Sequence, residues 1–276
     1  MYSIYHFYKD LVEKKEYFNT IQKLEDFPYD LSMIACKNNG VFPDIALKLN
    51  NGNKDITGGE FIELKDSASY TVSSFNSTIP TGRKEISKII LSENSQIKKQ
   101  MEEAGNHIYS VPIRDVFYLI RGKKNNNIKI CLVHGSFFET ISIEDLIKES
   151  FGLVLEERLS QIGKELPDEW KYKFLSIFSE QKNFSKVRDV NKSSVKLRFR
   201  IMTEVKAEGN LLNSIRYPEI IDNSMNFLLP LHNQNDEENF KEKIESVFGK
   251  KELKKFNIFK IKHLLNGYFL NYQTSI

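Results

Sequence analysis

Apolar residues at Ile4, Phe7, Tyr8, Leu11, Phe18, Ile21 and Leu24 return at helical spacing, which predicts a first helix over residues 4–24 with Glu13 and Glu16 near its solvent edge. The pattern then shortens. Residues 31–36, 41–49 and 60–65 are apolar or alternating runs, separated by Asn38-Asn39-Gly40 and by the polar stretch 50–59, and they read as a meander of three strands. Helical spacing resumes at Ile86, Ile89, Ile90, Ile97 and Met101, so a helix is expected over 85–104, stopped by Gly105. Two further strands, 116–121 and 128–133, flank the turn Gly122-Lys123-Lys124-Asn125.

The order helix, three strands, helix, two strands predicts an α+β fold, a mixed sheet with helices packed on it. The second half is less regular. Helices are expected over 142–162 and 168–179, a strand over 195–205, and a polar helix over 236–248. Residues 256–272 fit a strand or a helix equally. No period of repeats and no low-complexity linker divides the chain. A boundary near 138–142 gives a core of residues 1–140 and a second α+β region of residues 141–276.

With 276 residues, 40% of them hydrophobic, the chain can bury a substantial core as one large domain or two modest ones. Cys36 and Cys131 lack metal-ligand spacing and sit in apolar runs, as expected of a reduced protein. Residues 1–10 lack the apolar core of a signal peptide, and no later run is long enough to cross a bilayer. A soluble, cytoplasmic protein without membrane contact is expected. The formal charge of +3 is too small to name a partner by itself. The placement of charge says more.

Val41-Phe42-Pro43-Asp44-Ile45-Ala46-Leu47 sets one carboxylate in an apolar strand, and Phe61-Ile62-Glu63-Leu64-Lys65-Asp66 does the same after eighteen intervening residues. Alternation puts Glu63 and Lys65 on one face of a strand and points Ile62 and Leu64 to the other, toward the core. Neighbouring strands would bring Asp44 beside Glu63. Such a pair suits a hard cation such as Mg²⁺, which keeps waters and also binds phosphate oxygens, with Lys65 supplying a cation beside it. The alternative is a turn cap at Asp44 and a solvated Glu63–Lys65 strand face.

Pro43-Asp44, the spacer and Glu63-Leu64-Lys65 resemble the motif of the PD-(D/E)xK nuclease superfamily. The element order over residues 1–133 also resembles that family's restriction-endonuclease-like core. The resemblance implies that Asp44 and Glu63 bind Mg²⁺, that the Leu64 carbonyl joins them, and that Lys65 engages the attacking water. Many members carry another acid on the first helix, which makes Glu13 or Glu16 a candidate.

Residues 66–84 are dense in hydroxyls and amides and end in two cations before a helix, groups that contact phosphates and base edges. Ser69, Ser73, Ser74, Asn76, Ser77, Thr78, Arg83 and Lys84 are therefore candidate DNA contacts, or members of an ordinary surface loop. Loops of this kind after Glu-x-Lys occur in type II restriction endonucleases, the subgroup the chain most resembles. Independently, Val195-Lys196-Leu197-Arg198-Phe199-Arg200-Ile201 alternates apolar and cationic residues, so Lys196, Arg198 and Arg200 would share a face able to lie along phosphates. Basic residues also protect strand edges. The lysines between 250 and 262 read as solvated surface. His134-Gly135-Ser136 lacks a nucleophile elbow, Gly58-Gly59 lacks the P-loop lysine, and the other histidines are scattered.

The expectation is a site-specific, Mg²⁺-dependent type II endonuclease acting on double-stranded DNA, with homodimerisation open and a DNA methyltransferase as functional partner. Other nucleases of this superfamily, acting in repair, on junctions or directed by RNA, and a non-catalytic DNA-binding module are the alternatives.

Overall fold

The computed structural model describes residues 34–36, 42–47, 59–72, 75–76, 80–89, 98–99, 102, 109–139, 143–179 and 202–276. In chain order the strands are β1 (Ile34–Cys36), β2 (Ile45–Leu47), β3 (Phe61–Ser67), β4 (Phe75–Asn76), β5 (Arg83–Glu85), β6 (Ile113–Lys124), β7 (Asn127–His134), β8 (Met202–Thr203), β9 (Ser224–Leu231), β10 (Asn257–His263) and β11 (Gly267–Ser275). The helices are α1 (Ile86–Ile89), α2 (Ile143–Gln161), α3 (Asp168–Ser179) and α4 (Gln234–Leu253). The fold is α+β.

A mixed sheet runs in the order β1-β2-β3-β6-β7-β9-β11-β10, with β5 paired to β6. β1, β2 and β3 form the antiparallel meander read from the sequence. β3 then pairs with β6 in parallel, β6 with β7 antiparallel, and β7 with β9 in parallel. Val116, Phe117 and Tyr118 of β6 are buried in succession, as a strand covered on both faces requires. On one face Leu47, Ile62, Phe117, Leu132, Phe227, Leu229 and Leu270 form a continuous core with Ile244 of α4. α4 begins where it does because Asn233 and Asp236 cap it reciprocally. The Asn233 side chain accepts from the Asp236 N–H at 3.1 Å, and the Asp236 carboxylate accepts from the Asn233 N–H at 3.0 Å.

The chain divides differently from the boundary expected at residue 140. One compact unit comprises Met1–Ser73, Pro80–Glu139 and Val205–Ile276, and the other comprises Ser74–Ile79 and Thr140–Glu204. Residues 205–276 thus belong with the core and supply β9, β10 and β11 to its sheet, so 141–276 is not one region. The physical reason is the parallel β7–β9 pair. Parallel neighbours need a long crossover, and the second unit occupies that connection. Within it, α2 and α3 fall where the periodicity predicted.

Residues 256–272, open between strand and helix in sequence, form the β10–β11 hairpin, closed at Gly267 with a φ of 81°. Leu64 departs from its expected place in the core and is 45% exposed, because the β2–β3 ladder covers only Phe61 and Ile62. Of the helix expected over 85–104, residues 86–89, 98–99 and 102 are helical among those described, and Glu85 ends β5. The strand expected over 195–205 is described only at Met202–Thr203. Residues 4–24, with Glu13 and Glu16, lie outside the described residues. Among the described residues no helix is long and apolar enough to cross a membrane.

Candidate active site

β2 and β3 pair with Ile45 opposite Ile62 and Ala46 opposite Phe61. Continuing that register by one residue sets Asp44 opposite Glu63, and by two sets Pro43 opposite Leu64. At that point the backbone ladder gives way to a side chain, and the Asp44 carboxylate accepts the Leu64 N–H at 2.8 Å. In an antiparallel ladder the N–H and C=O of one residue project to the same side. The Leu64 carbonyl therefore points to the Asp44 edge, and Pro43 opposite has no N–H to give it. Sequence reading foresaw that β2 and β3 are neighbours but not this use of the proline.

Glu63 stands opposite Tyr118 in the parallel β3–β6 register, on the sheet face away from Ile62. Its carboxylate accepts from the Lys65 Nζ at 3.1 Å, with the two side chains 16% and 17% exposed. Burial raises the Tyr118 hydroxyl far above its ordinary range, and the Glu63 charge adds to that. Lys84 also feels Glu63. Burial draws its ammonium down to about 8 while Glu63 favours the charged form. Its Nζ lies 4.2 Å from the centre of the Phe42 ring.

The depressed Lys84 sets a pH dependence of stability. An unfolded lysine titrates near 10.4, so between about pH 8 and pH 10.4 the unfolded chain holds a proton that the folded chain has released. Stability from this group therefore rises with pH across that window. Comparing wild type with Lys84→Met in urea, the difference in unfolding free energy should move toward wild type by on the order of 1–3 kcal/mol between pH 7.5 and pH 10. A flat difference would mean that Lys84 titrates as if in water.

The other expected contacts scatter. Ser69 is exposed just past β3, its amide donating to the Ser67 hydroxyl at 3.2 Å and its own hydroxyl bonded to that of Thr71. Arg83 points outward, 72% exposed, and pairs with Asp115 at 3.0 Å. Lys84, its neighbour, turns inward instead. Asn76 lies on β4 in the second unit. Ser73, Ser74, Ser77, Thr78, Lys196, Arg198 and Arg200 lie outside the described residues. Arg121 and Asp66, unremarked in sequence, form a two-pronged exposed pair at 2.9 and 2.6 Å that holds the Asp66 carboxyl below its usual range. His134 caps the turn Gly135–Phe137, accepting from the Ser136 N–H, with Asp115 3.7 Å from its Nε2.

Asp44, just before β2, and Glu63 and the Leu64 carbonyl, within β3, offer hard oxygens of the kind that Mg²⁺ takes together with waters and phosphate oxygens. Among the described residues, no group of three or more His, Cys, Asp or Glu side chains is placed to hold a metal ion. No family model, curated protein or solved structure matches the chain.

Proposed function

We propose that the chain is a Mg²⁺-dependent endonuclease of the PD-(D/E)xK type that hydrolyses phosphodiester bonds in double-stranded DNA, most like a type II restriction endonuclease. The observation that carries this reading is the closeness of the two motif segments: the Asp44 carboxylate accepts the Leu64 N–H at 2.8 Å, and Glu63, the residue before Leu64, takes the Lys65 ammonium at 3.1 Å. In this reading Asp44, Glu63 and the Leu64 carbonyl hold the cation, which when bound supplies a nucleophilic water and offsets the charge of the scissile phosphate. Lys65 positions that water and stabilises the negative charge that develops on the phosphate. Ser69 and Arg83 face solvent where a phosphate backbone could reach them, and Lys196, Arg198 and Arg200 remain candidates for further phosphate contacts.

Incubation with plasmid DNA tests the reading. Discrete fragments in Mg²⁺ are expected of a restriction enzyme, general degradation of a non-specific nuclease, and retention without cleavage of a binding module. Calcium should support DNA binding with little hydrolysis, because it takes the same oxygens with a larger, looser geometry. Rapid turnover in calcium alone would count against this mechanism.

A further inference from the structure

The β3–β6 ladder ends where Ser67 pairs with Gly122, yet the chain beyond it stays bound. Asn210, far along the sequence, takes over. Its side-chain oxygen accepts the Val72 N–H at 3.1 Å and its side-chain amide donates to the Tyr70 carbonyl at 3.2 Å, so one carboxamide holds both backbone groups that flank Thr71, as a residue of a parallel neighbour would. Asn210 is itself fixed, its N–H donating to the Ala207 carbonyl at 3.2 Å and its carbonyl accepting from the Asn213 N–H at 3.0 Å. On the inner side Val72 is buried and the Tyr70 ring centre lies 4.8 Å from the Lys129 Nζ. Gly122 permits this approach, since a Cβ there would meet the Leu212 Cδ1 at 2.6 Å and the Ser69 carbonyl and Tyr70 ring at 3.3 Å. The outer side carries hydroxyls in a row. Ser67 Oγ lies 3.3 Å from Ser69 Oγ, which in turn bonds to Thr71 Oγ1, and Ser67 shares its β3 face with Glu63 and Lys65.

We infer that Asn210 is a positioning residue for DNA, holding the Ser69 and Thr71 hydroxyls as a fixed strip that donates to phosphate oxygens of the duplex. The inference rests on the nuclease reading. Neutral donors of this kind set the register of a backbone without reading its sequence. They do so at low entropic cost only where their own backbone is ordered before the ligand arrives, since a loose turn has to be fixed at every binding event. Apolar packing of Tyr70 and Val72 buries the inner side but is non-directional. The paired carboxamide bonds fix the rotation of the peptides on either side of Thr71, and with it the direction in which the outer hydroxyls point.

Labelled duplex DNA of mixed sequence is the probe, with binding followed by fluorescence anisotropy in a double-mutant cycle. The paired change Ser69→Ala with Thr71→Val, which leaves the inner side untouched, should weaken binding about tenfold, the worth of one or two neutral hydrogen bonds. Asn210→Ala should weaken it by a similar factor. Added to the paired change it should cost nothing further, because the hydroxyls it positions are gone, whereas a merely structural role would make the two losses multiply. Multiplying losses, wild-type affinity in the paired variant, or wild-type affinity in Asn210→Ala shown by circular dichroism to be folded would each overturn the inference and leave the nuclease reading standing. If Asn210→Ala does not fold, Gly122→Ala, which crowds the same segment with Asn210 intact, is read by the same outcomes. If wild type binds no duplex DNA even with Ca²⁺ present, the nuclease reading itself falls and the inference with it.

Discussion

Glu63→Gln and Asp44→Asn are each expected to slow plasmid cleavage in Mg²⁺ by roughly 10²–10³-fold or more, with folding and metal-free DNA binding retained. The isosteric amides are the informative substitutions. Asp44 accepts the Leu64 N–H, so alanine there would also release the start of β2 from β3 and confound loss of chemistry with loss of structure. Asparagine keeps an oxygen for that bond. Glutamine at position 63 likewise keeps an acceptor for Lys65. What each change removes is a negative charge at the position assigned to the cation, and a hard divalent ion binds a neutral amide oxygen far less well than a carboxylate. Gels following supercoiled, nicked and linear plasmid give the rate, circular dichroism gives the fold, and gel shift in chelator gives DNA binding. Cleavage at wild-type rate by either purified variant would sink the assignment.

The charged positions of β3 were legible because Glu63 and Lys65 keep a period of two, on the face opposite Ile62 and Leu64. The β2–β3 pairing was legible only as an inference from two nearby strands. Lys84 shows where reading ran out. In sequence it is half of an Arg-Lys pair before a helix and looks like a phosphate contact. Only as part of the short strand Arg83–Glu85 does it alternate inward, and three residues carry too little pattern to reveal a strand.

The C-terminal hairpin was illegible for a different reason. β11 is buried on both faces at Phe269, Leu270, Asn271, Tyr272 and Gln273, so the alternation that marks a half-exposed strand is lost. Its polar residues added to the confusion. Asn271 and Gln273 each donate to the Asn226 side-chain carbonyl, at 3.0 and 2.9 Å, making a buried amide network between β9 and β11 that sequence alone assigns to the surface. The β7–β9 parallel pair had no local signature either, since the Thr140–Glu204 part of the second unit lies between its partners in the chain. Long-range pairing is decided by what the finished sheet buries.

Phe117→Ala is expected to lower the unfolding free energy by about 3–5 kcal/mol, the range for deleting a buried aromatic side chain. Phe117 is fully buried at the middle of β6, opposite Ile62 of β3, with its ring 6.1 Å from Phe227 and edge-on to His134 at 5.2 Å. The surrounding strands are tied by ladders on both sides, so they cannot close over the space left behind. The cavity should therefore persist, and with it the larger part of the loss. This effect and that of Glu63→Gln should separate cleanly. Phe117→Ala should shift the urea midpoint strongly while the molecules still folded cleave at a rate set by an intact Asp44, Glu63 and Lys65. Glu63→Gln should do the reverse, because its side chain lies on the opposite face of the sheet from the Phe117 core. Urea titration followed by circular dichroism, paired with cleavage per folded molecule, measures both. A loss below about 1 kcal/mol for Phe117→Ala would mean that β6 is not packed between two covered faces. Equal losses of stability in the two variants would mean that Glu63 belongs to the core rather than to a site.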